Sequence, residues 1–278
     1  MNADDFGLTP GVNRAIVELH QAGVLTSATL MATAAATSEA IDLARATPTL
    51  GVGCHVVLVD GDPVLPPANI PSLIDQKTGR FPVSLGAFLT RLFSGRIRPA
   101  EIEAEAAAQI ARLHHTGLRL THIDTHKHTH MFPPVLQPVL RAARAAGIRA
   151  VRNPFEPEWA VRATPRAPLA RIGEVFVLRR LGPFFRRLIA REKFATTDGT
   201  IAVVGTGTLD SDAVRSLLAE LPEGTWELVT HPGYNDADLD RIRTRLRASR
   251  EIERQALTTL KDFPAVDLIS FGDLFSST

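Results

Sequence analysis

The chain has 278 residues, 45% of them apolar and 22% charged, with a formal net charge of +1. That balance is ordinary for a soluble globular protein, suits a single α/β domain, and gives no global reason to expect nucleic acid as a partner. The single cysteine, Cys54, excludes an intrachain disulfide and a cysteine-rich zinc site and agrees with a cytoplasmic location, and there is no run of about 18 apolar residues to cross a bilayer. The first residues, MNADDFG, lack the charged and apolar regions of a signal peptide, so none is expected. They place Asp4 and Asp5 side by side before Gly7. Adjacent carboxylates usually mark a solvated turn, but Thr9-Pro10 reads as a helix start, and backbone N–H groups there favour anionic groups. A helix over 11–22 puts Val12, Ala15, Ile16 and Leu19 on one face and ends at Gly23. Residues 24–31 read as a strand and 37–46 as a helix. The run 50–59, LGVGCHVVLV, reads as a buried strand. His55 in its middle is a core histidine unless it faces a pocket shared with other polar groups. Residues 60–81, rich in Pro and Gly, read as a long loop forming a lid or substrate wall.

A helix over 98–117 carries Ile102, Ala106, Ile110 and Leu113 at helical spacing. Next comes LTHIDTHKHTHMFP, residues 120–133, which holds four of the nine histidines. His122, Asp124, His126, His128 and His130 share a parity, so an extended chain would turn them to one face. Imidazole and carboxylate at this density point to a metal site rather than a solvated turn. A helix over 134–146 and a strand over 148–151 lead to Arg152-Asn153-Pro154. Polar residues thus recur after strands, as in parallel α/β barrels and open sheets whose sites gather at the carboxyl ends of the strands.

The segment 164–194 departs from this pattern. Arg166, Arg171, Arg179, Arg180, Arg186, Arg187, Arg191 and Lys193 face only Glu174 and Glu192. Val175, Phe176, Leu178, Leu181, Phe184, Phe185, Leu188 and Ile189 are interleaved, with a break expected at Gly182-Pro183. The segment reads either as a helix with a hydrated basic face or as a peripheral contact with an anionic membrane or lipid-linked substrate. A strand or turn over 201–205, a helix over 211–221 and a strand over 226–230 follow. That last strand runs into His231-Pro232-Gly233-Tyr234. A helix over 239–261 and a strand over 266–271 complete a single domain, 1–278, without internal repeats.

Taken together, NADDFG, GVGCH, HIDTHKHTHMFP and HPG, in that order, resemble the YdjC-like carbohydrate deacetylase family over nearly the whole chain. The resemblance implies a distorted TIM-like (β/α) barrel and removal of an N-acetyl group from an acetylated amino sugar, a hydrolysis of a linear amide, with one divalent metal. Carried over by position, Asp5, His55 and His126 are the metal ligands, Asp4 the general base and His231 the candidate general acid. Asp124 and Arg152 are supporting residues, and His128 and His130 supporting or substrate contacts. One Asp with two His suits Zn or Mg, with Mn, Co or Ni as further options. The stretch VLVDGDPVLPP and the basic insert most resemble the hopanoid-biosynthesis-associated (HpnK-like) subgroup. That implies an N-acetylglucosaminyl head group on a hopanoid lipid and a peripheral position at the inner membrane face.

The chain departs from the family at its start. Family members usually carry a short apolar strand before this motif, so most of the first strand is expected to be missing here, exposing neighbouring backbone and core groups. Alternatives on the same fold are a phosphoesterase, another amidase, or a non-catalytic binding member. A phosphoesterase should show a second metal cluster or a phosphate-binding glycine loop, and neither is evident in the sequence.

Overall fold

Short buried strands alternate with helices along most of the chain. In a computed structural model describing residues 1–260 and 266–275, the elements are β1 (Asn2–Phe6), α1 (Pro10–Gln21), β2 (Ser27–Leu30), α2 (Thr37–Ala46), β3 (Gly51–Val56), α3 (Leu85–Phe93), α4 (Pro99–His114), β4 (Ile123–Thr125), α5 (Pro133–Ala145), α6 (Glu158–Ala163), α7 (Leu169–Leu178), α8 (Gly182–Glu192), β5 (Gly199–Ile201), α9 (Ser211–Ala219), β6 (Trp226–Thr230), α10 (Ala237–Asp240) and α11 (Arg247–Thr258). The strands form one parallel sheet in the order β4-β3-β2-β1-β6-β5. β1, β2 and β3 are buried at every position, as strands covered on both faces must be.

The TIM-like barrel is reached only in part: the sheet is a curled half-barrel of six strands. The strand expected over 148–151 makes only single-residue bridges, Val151 to Ile123 of β4 and Ala150 to Ala195. Pairing stops because Asn153 turns its side-chain amide to the carbonyls of Thr197 and Asp198, and Pro154 has no N–H to offer. These bridges carry the pairing from β4 towards the segment that enters β5.

The motif residues Asn2–Phe6 themselves form the first strand. Asn2 and Ala3 pair with Ser27 and Ala28 of β2 on one side and with Val229 and Thr230 of β6 on the other. β1 is therefore central rather than an open edge, although β6 already runs from Trp226 before it meets Asn2. Asp4 and Asp5 lie in this buried strand, not in a solvated turn.

Thr9 caps α1 by accepting from the Val12 N–H, with Pro10 in the first turn. The loop 60–81 is held to α4 by buried acceptors. Glu105 takes the Val64 and Leu65 N–H groups, Glu101 takes Ser72, and Gln109 bonds both the N–H and the carbonyl of Val57. After this loop comes α3, a helix outside the sequence expectations, capped by Ser84.

The basic segment does divide at Gly182-Pro183, where one helix has ended and a new one begins. Proline in a first turn needs no N–H partner, so the pair opens α8 after a 3₁₀ turn at Arg179–Leu181. Strand β5 lies at Gly199–Ile201 rather than 201–205. The long helix expected over 239–261 is divided into α10 and α11, and its end, Lys261, is outside the described residues. Residues 266–270 are irregular and lead into a 3₁₀ turn, Phe271–Phe275, instead of a strand.

Candidate metal centre and active site

A regular strand would send Asp4 and Asp5 to opposite faces of the sheet. Here the pairing register shifts between Ala3 and Phe6, and Asp5 takes a left-handed φ of 65°. A left-handed non-glycine residue costs about 1–3 kcal/mol and persists only where its surroundings fix it. The irregularity allows both carboxylates to join one buried cluster.

Asp5, His55 and His126 converge at the carboxyl ends of β1, β3 and β4. Asp5 Oδ1 lies 3.2 Å from His126 Nδ1 and 3.6 Å from His55 Nε2, and the two imidazole nitrogens are 3.3 Å apart. One ligand atom from each residue falls within 4.8 Å of the others. Asp5 Oδ1 is buried with no hydrogen-bond partner among the described residues. An orphaned carboxylate oxygen between two imidazoles fits a divalent cation, and the donor set suits Zn while admitting Mg, Mn, Co or Ni.

Asp124 orients this set from behind. Its Oδ1 lies 2.8 Å from His55 Nδ1, which fixes the imidazole with Nε2 towards the ligand group. Burial lowers the His55 pKa, but Asp124 and Asp4 outweigh it and raise it to about 9. Gly53, two residues earlier, is required for a different reason. A Cβ there would meet the His122 ring at 2.5 Å.

Arg152 is the hub of the second half of the site. It is fully buried and holds Asp4 through both oxygens, Nη1 to Oδ2 at 2.8 Å and Nη2 to Oδ1 at 2.6 Å. Its Nε meets Glu227 at 2.9 Å, and Nη1 also contacts Asp124. Burial opposes ionisation of Asp4, but Arg152 and then His55 outweigh it and hold the carboxyl far below its ordinary range. Asn2 and the Thr29 hydroxyl each donate to Asp4 Oδ1 at 3.1 Å. A second acidic group, Asp4 with His55 and Asp124, has similar spacing. The Arg152 guanidinium binds both of its carboxylates, so only the Asp5 group is suited to a cation.

His231, directly after β6, brings Nε2 to 3.8 Å from Asp4 Oδ2. Burial lowers its pKa to about 4. Two residues of α11, one turn apart, face this region. Arg250 pairs with Asp5 Oδ2, leaving Oδ1 turned to the imidazoles. Glu253 accepts the His231 backbone N–H at 2.7 Å, with the His231 ring Nδ1 at 3.9 Å. Burial raises Glu253 to about 7.

The histidine run does not keep one face. β4 ends at Thr125, and Lys127 and His128 take left-handed φ values of 57° and 51° within a 3₁₀ turn, His126–Met131. His126 alone of the run's histidines therefore joins the ligand group. His130 is buried among Thr125 and the Arg152 carbonyl, where it holds the turn to the Arg152 backbone. His128 lies beside His130, its Nδ1 buried and without a partner among the described residues. His122 stacks on Phe271 at 4.0 Å and belongs to neither group that could hold a metal ion. Thr29, Glu227, Arg250 and Glu253 are additions from the structure. Glu227 carried a readable signal, an acid inside an apolar strand next to HPG. Arg250 and Glu253 carried none, because charges on an arginine-rich helix read as a hydrated face.

The family profile described as YdjC-like protein matches residues 1–261. Among similar proteins, a carbohydrate deacetylase of Thermoanaerobacter pseudethanolicus is 27% identical over 93% of this chain and 89% of its own length. One from Mus musculus is 32% identical over 84% of this chain and 77% of its own. One from Brevibacillus brevis reaches 46% identity, over only 51% of this chain and 54% of its own, so that match spans about half of each protein. A crystal structure from Enterococcus faecalis V583, provisionally described as a cellobiose-phosphate cleavage protein, superposes with a TM-score of 0.72 at 28% identity, covering 92% of this chain and 88% of its own. With the profile running from the first strand through the last helix that reaches the site, the chain belongs to the YdjC-like protein family.

Proposed function

We propose that the protein is a metal-dependent carbohydrate deacetylase that hydrolyses the N-acetyl group of an acetylated amino sugar. The observation that carries this reading is the conjunction at one site of an orphaned Asp5 oxygen between His55 and His126 and an ionised Asp4 beside them. The names of the relatives support the substrate class. A divalent ion held by Asp5, His55 and His126 supplies Lewis acidity towards the acetyl carbonyl.

The chain's own groups do the rest. Arg152 and Thr29 hold Asp4 deprotonated and aimed, so that it takes a proton from the attacking water. His231 is neutral at the start. It receives that proton at Nε2 and delivers it to the departing amine as the C–N bond breaks, leaving acetate and the free amino sugar. Asp124 keeps His55 in one tautomer, and Arg250 keeps Asp5 in one rotamer.

The finer reading of the substrate is an N-acetylglucosaminyl head group carried on a hopanoid lipid, supported by the subgroup resemblance of VLVDGDPVLPP and by the basic segment 164–194, which would bring the chain to a membrane surface. A two-metal phosphoesterase is disfavoured because Arg152 already neutralises the second acidic group. The test is acetate release, with and without Zn or Mg, from N-acetylglucosamine offered free, as a short oligosaccharide and on a hopanoid lipid. Metal-dependent release from the lipid form alone supports the whole reading. Release from the oligosaccharide keeps the chemistry and removes the lipid. Silence on all three, with metal bound, removes the activity.

A further inference from the structure

Eight basic and two acidic residues give the segment 164–194 a net charge of +6 in a chain whose total is only +1. The same segment holds four of the nine large apolar side chains that are exposed among the described residues: Leu169 (86%), Phe176 (62%), Val177 (59%) and Phe184 (40%). Helical spacing sorts these groups. In α7, Leu169 and Phe176 are seven residues apart, so they share one stripe that continues into Arg180 of the following turn. In α8, Phe185, Leu188 and Ile189 are buried, while Phe184 and Arg187, one turn apart, are exposed. Arg180, Arg186 and Arg187 have no carboxylate partner among the described residues. Apolar side chains in water, flanked by unpaired arginines on the same outer face, are what an interfacial helix presents to lipid.

The position of this face gives it a purpose. Gly182 lies against the ring of Phe155, three residues beyond Arg152, and Phe155 stacks edge-on with Phe185 at 5.6 Å. From there α8 runs eleven residues, about 16 Å, back to the segment where Ala195 bridges Ala150 at the start of the next pairing. The start of α8, and α7 before it, therefore lie at the end of the sheet where Asp4, Asp5 and Arg152 gather. We propose that α7 and the first turns of α8 form a docking face for an anionic lipid bilayer, with Leu169, Phe176, Val177 and Phe184 entering the interface and Arg180, Arg186 and Arg187 pairing with lipid phosphates. The inference rests on the lipid-linked reading of the substrate for its purpose, while its evidence is the exposed face itself. Aliphatic Leu169 and Val177 offer nothing to a nucleic acid base, which favours lipid over RNA. No described helix is long and apolar enough to cross a membrane, consistent with a face that lies on the surface.

The test is co-flotation of the full chain with vesicles of phosphatidylcholine alone or mixed with phosphatidylglycerol. Binding to the mixed vesicles only is expected, weakening as salt rises. Arg180→Glu with Arg187→Glu, and separately Leu169→Ser with Phe176→Ser, should each lower that binding more than about ten-fold. Metal binding in equilibrium dialysis and the melting temperature should not change in either variant. No flotation with the mixed vesicles overturns the proposal. So does tighter binding to single-stranded RNA that ignores the Leu169 and Phe176 changes, or a concentration-dependent dimer that those changes dissolve. Flotation without turnover of a lipid-linked sugar leaves the docking face standing and removes the lipid substrate. Turnover of a soluble acetylated sugar without flotation keeps the deacetylase chemistry and removes the docking face.

Discussion

Replacing Arg152 by Met removes the one cation that touches Asp4, Asp124 and Glu227 together, all at 4% side-chain exposure or less. Methionine fills much of the volume but offers no donor. Breaking a buried ion pair by deleting one partner costs about 3–5 kcal/mol, because the remaining charge stays desolvated. For a chain of this size about 2 °C of melting temperature corresponds to each kcal/mol, so Arg152→Met should melt about 6–10 °C lower at neutral pH. The pH dependence gives a sharper check. In the native protein the Asp4 carboxyl is held below its ordinary value of 3.8, so its stabilising contribution is present above that value and fades as pH falls through the depressed one. Without Arg152, burial is left as the main influence and raises the carboxyl instead. The variant is then penalised while the group is charged and relieved as pH falls through the raised value. The difference in melting temperature between the two proteins should therefore narrow in mild acid, measured by calorimetry on chelator-treated protein. A variant melting within about 1 °C of the parent, or a difference that widens in acid, would refute Arg152 as the counter-charge of this cluster.

Asp4→Asn should lower acetate release by about 10²–10⁴-fold while the protein still binds metal in equilibrium dialysis; unchanged turnover would remove Asp4 from the proton path. His55, raised to about 9 from 6.5, stabilises the metal-free protein fully below 6.5, and this contribution is lost as pH rises through about 9. Metal binding near neutrality should accordingly release about one proton, read by calorimetry in buffers of different ionisation heat, and proton release of zero would contradict the assignment. Arg250→Met frees Asp5 Oδ2 and should weaken metal affinity about 10–100-fold, with Arg250→Lys recovering part of it, as followed by chelator competition.

Much of the candidate site could be read before the structure because its members come from short contiguous motifs on strand ends. NADDFG, GVGCH and HIDTH each deliver one residue to the group formed by Asp5, His55 and His126, which could hold a metal ion. Parity misled beyond Thr125, since it assumes the strand continues, and two left-handed residues redirect His128 and His130. The central placement of β1 depends on pairing with β6, more than two hundred residues away, which no local pattern encodes. Buried charge was the least legible feature. Arg250 is 1% exposed and Glu253 equally so, yet their helix reads as one of the most polar in the chain. Only the tertiary partner distinguishes a buried arginine from a hydrated one.

The ion pair between Asp5 and Arg250 joins residues 245 positions apart, and Asp4 meets Arg152 across 148. Neither carboxylate takes its counter-charge from a neighbour in sequence. A nascent chain can pair β1 with β2 early, but it cannot close the sheet around Asp5 without stranding a buried charge until α11 arrives. Long-range closure of this kind slows folding. Until α11 docks, the buried Asp5 carboxylate lacks its cation, so the candidate ligand group and the packing of α11 should form together.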